Sequence, residues 1–195
     1  MTQPNLIALS GYSQSGKDTL GKLLVKHGYR SRPVRTLAFA DPMRELVRWF
    51  RGDISHLRDT NPEGYRSDMQ FVGEYLRRNV FPDVWLACAQ TRYELARCSE
   101  RHPVVVFTDL RYPNELDWIR SHRGQVWYVD NDRASVINGH PSESHYEYIR
   151  SCADRIFCNN GTPEDLEAAV VRLGDGWFAP GADQDTLPGT GGPGE

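Results

Sequence analysis

Short apolar runs alternate along the chain with longer segments that repeat apolar residues every three or four positions. The short runs are rich in β-branched and aromatic residues, which is typical of buried strands. Five strands are predicted in this way, at 5–10, 34–40, 104–107, 125–129 and 155–159. Because helical spacing follows each strand, we predict a five-stranded parallel sheet in a three-layer α/β fold.

The helical segments are bounded by recognisable start and stop residues. The first carries Leu20, Leu23 and Leu24 on one face and is predicted to end at Gly28. Further helices are predicted to begin at Asp41-Pro42, at Pro113 and at the capping sequence 162–165, and to span 69–79, 82–98 and 143–150. The polar stretch 52–68 predicts a loop. The Gly- and Pro-rich end predicts a domain at 1–178 and a disordered tail at 179–195.

The strongest candidate for chemistry lies between the first strand and the first helix. The segment 11–19 reads Gly-Tyr-Ser-Gln-Ser-Gly-Lys-Asp-Thr and contains the spacing Gly-x-x-x-x-Gly-Lys of a phosphate-binding loop. Gly11 and Gly16 allow a tight turn and a close approach to an anion, while Lys17 can reach the outer phosphates. The strand–turn–helix context predicts a nucleotide site; its residues are Gly11, Ser13, Gln14, Ser15, Gly16, Lys17, Asp18 and Thr19.

Asp18 departs from the common form of this motif, in which Ser or Thr contributes a hydroxyl to magnesium. A carboxylate beside a triphosphate is repelled unless a cation lies between them, and magnesium accepts carboxylate ligands. Asp18 is therefore either a metal ligand or an acid that favours the start of a helix. Thr19 could supply a hydroxyl to an inner phosphate.

Composition narrows the class of protein. The 195 residues are 39% hydrophobic and 25% charged, as in a globular domain, and the net charge of -3 disfavours a general nucleic-acid or membrane-surface binder. No run is long and apolar enough to span a bilayer, and the first residues lack the pattern of a signal peptide. The four cysteines show no metal-binding spacing, which favours reduced thiols and a cytoplasmic location.

Two further groups of polar residues have both a binding and a structural interpretation. Asp41 and Arg44 follow the second strand, where ligands bind in open α/β sheets, although Asp41 could simply cap a helix. Gln70, Glu74 and Arg77 share one face of a helix and could bind a base edge and a phosphate, or form a solvated face with i, i+4 pairs. A glycine within this helix, Gly73, suggests a close neighbour, either a helix or a flat ligand.

Acidic and basic residues also follow the third and fourth strands. Asp109 follows the run Val104–Phe107, where an acid can hold magnesium or its water, although it could also serve only the structure of the loop before the next helix. Arg111 lies near the same sheet edge. After the fourth strand, a polar segment at about 130–145 contains Arg133 and could close over phosphates as a lid. Its alternative is a surface loop in which Ser142 caps the next helix.

Four motifs together resemble the deoxynucleoside monophosphate kinases of bacteriophages, a branch of the phosphate-loop nucleoside monophosphate kinases. They are Gly16-Lys17-Asp18-Thr19, Phe39-Ala40-Asp41-Pro42, the segment 70–78, and Asp109-Leu110-Arg111-Tyr112-Pro113-Asn114-Glu115, with His140-Pro141-Ser142-Glu143 as a weaker fifth. The resemblance implies ATP- and Mg²⁺-dependent phosphorylation of a deoxynucleoside monophosphate. The sequence Phe71-Val72-Gly73-Glu74-Tyr75 departs from the family's pattern and leaves the preferred base open.

The resemblance also implies roles for individual residues. Lys17, Arg111 and Arg133 would be catalytic, with Arg111 on the acceptor phosphate and Arg133 in the lid, and Asp18 and Asp109 would serve the metal. An acceptor-binding insertion at about 41–98 would use Asp41, Arg44, Arg66, Gln70, Gly73, Glu74, Arg77 and Arg111. The partner would be a small nucleotide, and neither nucleic acid nor a membrane would be bound. The protein would act in the cytoplasm, which is that of the host if a phage encodes it. The oligomeric state stays open, and a homodimer is one possibility.

Two other functions are compatible with the phosphate loop. One is another small-molecule kinase, similar to phosphomevalonate or dephospho-CoA kinase, which the loop and Asp109 would serve equally well. The other is a nucleotide-dependent switch or motor. Against it, Leu110 follows Asp109 where motor ATPases often have a Glu that activates water, and no Asn-Lys-x-Asp guanine signature is present.

Overall fold

The computed structural model describes residues 5–51, 60–99, 102–134 and 145–174. These residues divide into two compact units, which are treated separately below. Unit one comprises Met1–Thr36 and Ala96–Glu195, and unit two comprises Leu37–Leu95. The acceptor-binding insertion at about 41–98 overlaps unit two in sequence and stays a prediction.

Unit one is built on the predicted five-stranded parallel sheet. The strands are β1 (Leu6–Ser10), β2 (Val34–Leu37), β3 (Val104–Phe107), β4 (Gln125–Asp130) and β5 (Arg155–Cys158). They lie in the order β2-β3-β1-β4-β5, so the central strand β1 has β3 and β4 as its parallel neighbours. Ala8 pairs with Phe107, and Ser10 pairs with Tyr128. The carboxyl ends of these strands therefore meet at one edge of the sheet, beside the loop that follows β1.

Apolar side chains cover both faces of this sheet, as expected for parallel strands. The helices α1 (Lys17–His27) and α7 (Pro163–Gly174) contribute Leu20, Leu24, Leu166 and Val170 to the buried cluster of one face. The helices α5 (Pro113–Ser121) and α6 (Tyr146–Ser151) pack on β1, and α5 also packs on β4. All five residues of β1 and all four of β3 are buried, which explains why their sequences are continuous apolar runs.

Unit two is helical. It contains α2 (Asp41–Arg51), α3 (Pro62–Asn79) and most of α4 (Val84–Arg97). Val47 of α2 and Met69 of α3 form a small buried cluster with Met43, Tyr65 and Val72 at its margin. Along α4, the buried side chains are those of Trp85, Ala89, Tyr93 and Ala96.

The predicted loop at 52–68 is wrong for its second half, because α3 begins at Pro62. The sequence Asn61-Pro62-Glu63-Gly64 has the composition of a turn but acts as a helix start. Asn61 is the N-cap and its Oδ1 accepts a hydrogen bond from the Gly64 N–H at 3.1 Å, Pro62 is in the first turn, and Glu63 adds a favourable negative charge there.

Other boundaries differ by a few residues. The second strand ends at Leu37 instead of residue 40, while the first helix ends before Gly28 as predicted. Thr162 and Asp165 exchange the hydrogen bonds of the predicted capping arrangement. The tail at 179–195 and residues 135–144 of the predicted lid lie outside the described residues. None of the helices within the described ranges combines the length and apolar character needed to cross a membrane.

Candidate functional site

The loop between β1 and α1 forms a tight turn whose backbone repeatedly adopts positive φ angles. The φ angles are 139° at Gly11, 65° at Gln14 and 101° at Gly16, and the Ser15 N–H donates to the Tyr12 carbonyl at 3.2 Å. Gly16 is the N-cap of α1, and its carbonyl accepts the first helical bond from Leu20. Backbone N–H groups at such a helix start are a favourable environment for an anion.

Both glycines of the motif have positive φ angles and close neighbours. A Cβ atom at Gly11 would lie 2.3 Å from the Val129 carbonyl oxygen, and one at Gly16 would lie 2.3 Å from Asn159 Nδ2. The loop is thus pressed against the ends of the neighbouring strands on the β4–β5 side. A larger residue at Gly11 would force the loop away from the Val129 backbone, whereas one at Gly16 would have to displace the Asn159 side chain.

The Lys17 side chain folds back across this loop. Its ammonium donates to the Gly11 carbonyl at 2.7 Å and to the Tyr12 carbonyl at 2.6 Å, and lies 3.4 Å from Ser15 Oγ. Three residues of the loop therefore hold the charge in place at the sheet edge. The other predicted loop residues are more open: Gln14, Asp18 and Thr19 are exposed, while Ser13 is partly buried.

The surroundings of Lys17 weaken its hold on the proton. Burial is the main cause, and the positive charge of Arg111 acts in the same direction, while Asp18 and Asp109 oppose the change. Together they lower the pKa of Lys17 from 10.5 to about 8. An ammonium that is desolvated and close to a second cation is stabilised by a bound polyanion, since nearby opposite charges favour the charged form.

Asp109 lies on the segment that extends β3 along β1. The Leu110 N–H donates to the Leu9 carbonyl at 3.0 Å, and Ser10 Oγ donates to the Leu110 carbonyl at 2.9 Å. These two bonds fix the backbone on one side of Asp109, whose side chain is buried at 9% exposure. The structure therefore brings the predicted acid to the same sheet edge as Lys17.

The next segment is held by Glu115 of α5. One carboxylate oxygen of this buried residue accepts from the backbone N–H of Arg111 at 2.9 Å and of Tyr112 at 3.1 Å. Arg111 is exposed to solvent, yet its surroundings are crowded enough that desolvation opposes its charge. Tyr146, Asp109 and Glu115 outweigh that effect and raise the pKa of Arg111, which therefore stays positively charged.

A group of tyrosines borders the loop on the α6 side. The rings of Tyr12 and Tyr146 meet edge to face with centroids 5.0 Å apart, and the Tyr12 hydroxyl donates to Glu147 Oε1 at 3.1 Å. Tyr128 of β4 is fully buried, and burial is the main cause that raises the pKa of its phenol. These contacts join the phosphate loop to the start of α6.

The chain after β4 and β5 borders the loop on its remaining side. Asn159 Nδ2 donates to the Ser15 carbonyl at 2.9 Å. Arg133 lies in the turn after β4 with an exposed side chain, and its backbone N–H donates to Asn131 Oδ1 at 2.8 Å. Its predicted role in a lid stays a prediction, as do those of His140, Ser142 and Glu143 outside the described residues.

The acceptor-binding candidates other than Arg111 belong to unit two and have local partners there. Asp41 Oδ2 accepts from the Ala38 N–H at 2.8 Å, and its Oδ1 lies 2.9 Å from Arg44 Nη1. Glu74 pairs with Arg78 at 2.7 Å, one turn away, while Gln70 and Arg66 are exposed and Arg77 is partly buried. The binding roles of all these residues remain predictions.

Gly73 has a packing explanation, the helix alternative of the two considered above. A Cβ atom at this position would lie 2.9 Å from Met43 Sδ of α2, and Trp85 Nε1 of α4 donates to the Gly73 carbonyl at 3.1 Å. The glycine thus permits three helices of unit two to approach one another closely. Its predicted contact with a substrate stays a prediction.

Two residues that hydrogen-bond to backbone groups at the site, Glu115 and Asn159, are not predicted as site residues from the sequence. Glu115 belongs to one of the four motifs, and its place three residues after the N-cap Tyr112 matches the pattern in which an acid reaches back to backbone N–H groups. Asn159 follows β5 directly, so the argument about strand ends that selected Asp109 would also have selected it.

Comparison with known proteins adds a sequence relative. A protein of Acanthamoeba polyphaga mimivirus that carries the provisional name deoxynucleotide monophosphate kinase is 25% identical over 191 residues. The match covers 87% of this chain and 96% of that protein. No protein-family model matches the chain.

Comparison with solved structures gives two similar enzymes. The dephospho-CoA kinase of Campylobacter jejuni superimposes with a TM-score of 0.50 at 12% identity, covering 89% of this chain and 99% of that one. A shikimate kinase of Aquifex aeolicus gives a TM-score of 0.43 at 19% identity, covering 88% and 96%. With the sheet order and the loop geometry described above, the chain has the fold of the P-loop kinases.

Proposed function

We propose that this protein transfers the γ-phosphoryl group of ATP to a deoxynucleoside monophosphate, giving ADP and a deoxynucleoside diphosphate. The observation that carries the proposal is the presence of two cations at one sheet edge: Lys17, held by the Gly11 and Tyr12 carbonyls of the loop, and Arg111, on the segment that extends β3 along β1. The positive charge of Arg111 also contributes to the lowered pKa of Lys17. Two like charges in a partly desolvated site repel each other. A reaction that brings two phosphate groups together would supply a negative group for each of the two cations and so offset their repulsion.

The positions of Lys17 and Arg111 suggest which substrate each would bind. Lys17 is fixed to the loop that would hold the donor phosphates, so it would neutralise charge on the transferring group. Arg111 lies on the segment after β3 and has a planar guanidinium, which suits bidentate contact with the acceptor phosphate. Arg133 would add a third positive charge from the turn after β4.

The proposed acceptor explains why the site is rich in cations, and it does not require a catalytic base. A phosphate monoester is already largely ionised near neutral pH, because its second pKa is about 6. One of its oxygens can attack the γ-phosphorus directly while the bond to the bridging oxygen of ADP breaks. The residues need only align the two groups and neutralise charge.

The residues present fit a magnesium ion. Mg²⁺ is commonly held by one or two carboxylates together with substrate phosphates and water. Asp109, buried at the sheet edge, and Asp18, exposed in the first turn of α1, are the carboxylates available for this. No group of three or more His, Cys, Asp or Glu side chains suited to a metal occurs among the described residues. When bound, the ion would neutralise charge on the donor phosphates.

The deoxynucleotide acceptor is supported by the four motifs and by the name of the viral relative. Membership of the bacteriophage branch is part of the same proposal. The fold likeness to dephospho-CoA kinase does not itself select an acceptor, because it rests on 12% identity. Acceptor identity is therefore a matter for assay.

The proposal is tested most simply by removing the loop ammonium. We expect Lys17→Ala to lower ADP formation by about a thousandfold or more, which is the scale of a cation that acts on the transferring phosphoryl group. Lys22→Ala is the matched control, since Lys22 is exposed on the same helix and should leave the rate unchanged. A folded Lys17→Ala protein with the wild-type rate would refute the proposal.

A further inference from the structure

Asn159 occupies an unusual place behind the phosphate loop. It directly follows β5 and is 144 residues away from Ser15 in sequence, yet its Nδ2 donates to the Ser15 carbonyl at 2.9 Å. The same nitrogen would lie only 2.3 Å from a Cβ atom placed on Gly16. Asn159 therefore contacts both residues of the Ser15–Gly16 peptide.

This contact determines which way the peptide faces. In a planar trans peptide the C=O and N–H groups point in opposite directions. Because the Ser15 carbonyl points towards Asn159, the Gly16 N–H points away from it. Gly16 is the N-cap of α1, so its N–H belongs to the set of donors at the helix start that can bind an anion.

Asn159 is itself held by the chain after β4. Its backbone N–H donates to the Asp130 carbonyl at 2.7 Å, and its carbonyl accepts from Asn131 Nδ2 at 2.5 Å. The side chain is partly buried. An amide that is fixed at its backbone can hold the orientation of the peptide it contacts.

We propose that Asn159 is a positioning residue for the donor nucleotide, which it serves by keeping the Gly16 N–H directed at the phosphates. This inference rests on the proposed function, because it takes the loop to be the ATP site. Without the donor at Nδ2, the Ser15–Gly16 peptide can rotate, and its carbonyl would then face the phosphates. The consequence is weaker ATP binding with little change in acceptor binding.

Two substitutions of Asn159 distinguish a role in hydrogen bonding from a role in filling space. Asn159→Ala removes the donor and should raise both the Kd for MgATP and the KM for ATP about 3- to 10-fold, the equivalent of one hydrogen bond. Asn159→Asp keeps the shape but places a carboxylate oxygen against the Ser15 carbonyl, so it should raise both constants more than tenfold. A residue that only fills space would show the reverse order.

The neighbouring Asn160 supplies the controls. Its side chain is exposed and bonds to Asp132, at 2.8 Å and 2.9 Å, instead of to the loop. Asn160→Ala and Asn160→Asp, the second of which adds the same charge as Asn159→Asp, should leave the KM for ATP within about twofold. Calorimetric titration with MgATP and steady-state assays with the best acceptor would give the constants, and circular dichroism would monitor the fold.

The outcomes are distinct. Support requires a rise in the KM for ATP at Asn159 alone, with aspartate worse than alanine and the KM for the acceptor unchanged. If the wild-type protein and the Asn159→Ala variant bound MgATP equally well, this inference would be overturned but the proposed function would not. Unfolding of both Asn159 variants would assign the residue to stability and also contradict the inference. Failure of the wild-type protein to bind MgATP would overturn both proposals.

Discussion

Individual residues at the loop are constrained by contacts that a spacing motif does not contain. Lys17 was selected from the sequence because of its place after Gly16, but the depression of its pKa arises from burial and from Arg111, which is 94 residues away along the chain. Likewise, the positive φ angle favours glycine at position 16, and the Asn159 side chain occupies the space that a Cβ atom there would need. Residue types could thus be predicted, while their electrostatic state depended on the fold.

The lowered pKa of Lys17 predicts how catalysis depends on pH. Since the free protein loses this proton with a pKa of about 8, the cation that would attract the phosphates disappears at higher pH. We expect kcat/KM for ATP to fall about tenfold per pH unit above that value, because this ratio reports ionisation of the free enzyme. Direct chromatographic measurement of ADP from pH 6 to 10 would give the profile.

The matched variant for this profile is Lys17→Arg. An arginine keeps its charge across the whole range, so the alkaline decrease should disappear even if the maximal rate is lower. A wild-type profile that stays flat up to pH 10 would contradict the assignment of Lys17 to donor binding.

Arg111 is expected to act on the other substrate. Arg111→Ala should raise the KM for the acceptor at least tenfold while changing the KM for ATP by less than about threefold, because a charge-assisted bidentate contact contributes about 1.5–3 kcal/mol. Arg172→Ala, an exposed arginine of α7, is the control. Equal weakening of both substrates would count against this assignment.

At the scale of elements, strands were predicted more accurately than helix starts. The apolar runs at β1 and β3 are continuous because both faces of the sheet are covered, so their limits were visible in the sequence. The start of α3 was missed because Asn, Pro and Gly are common both in turns and at helix N-termini. The deciding contact, from the Gly64 N–H to Asn61, exists only once the helix has formed.

That contact gives a stability prediction for unit two. Asn61→Ala should lower the free energy of unfolding by about 1 kcal/mol, the usual cost of losing an N-cap, while Asn61→Asp should restore most of it. Urea denaturation followed by circular dichroism would measure both variants. An alanine variant as stable as the wild type would show that α3 does not depend on this cap.

The long-range contacts of the site were inaccessible to pattern analysis for a related reason. Asn159 reaches Ser15 because β5, which it follows, lies next to β4 on one side of β1. Tyr12 reaches Glu147 because α6 packs on β1. Helical or strand periodicity relates residues that are a few positions apart. Contacts between residues separated by more than 130 positions depend on the order of the strands in the sheet. The alternation of strands and helices predicted a parallel sheet but not that order.

On the scale of the whole molecule, the candidate residues for phosphate binding and most of those for acceptor binding lie in different units. The phosphate loop, Asp109 and Arg111 all lie in unit one, where β1, β3 and α1 bring them to one sheet edge. The remaining acceptor-binding candidates lie in the helical unit two. A net charge of -3 for the complete chain means that the cations at this edge are a local feature. The small polyanionic substrates proposed above would meet this positive charge locally.

The most direct test of phosphoryl transfer to a deoxynucleotide is ADP formation from MgATP across a panel of acceptors. The panel comprises the four deoxynucleoside monophosphates, the corresponding ribonucleotides, dephospho-CoA, shikimate and a reaction without acceptor, each with the Lys17→Ala protein as background. We predict rapid ADP release with one or more deoxynucleoside monophosphates, and formation of the matching diphosphate. Background rates with every nucleotide, or hydrolysis of ATP that no acceptor increases, would contradict the account.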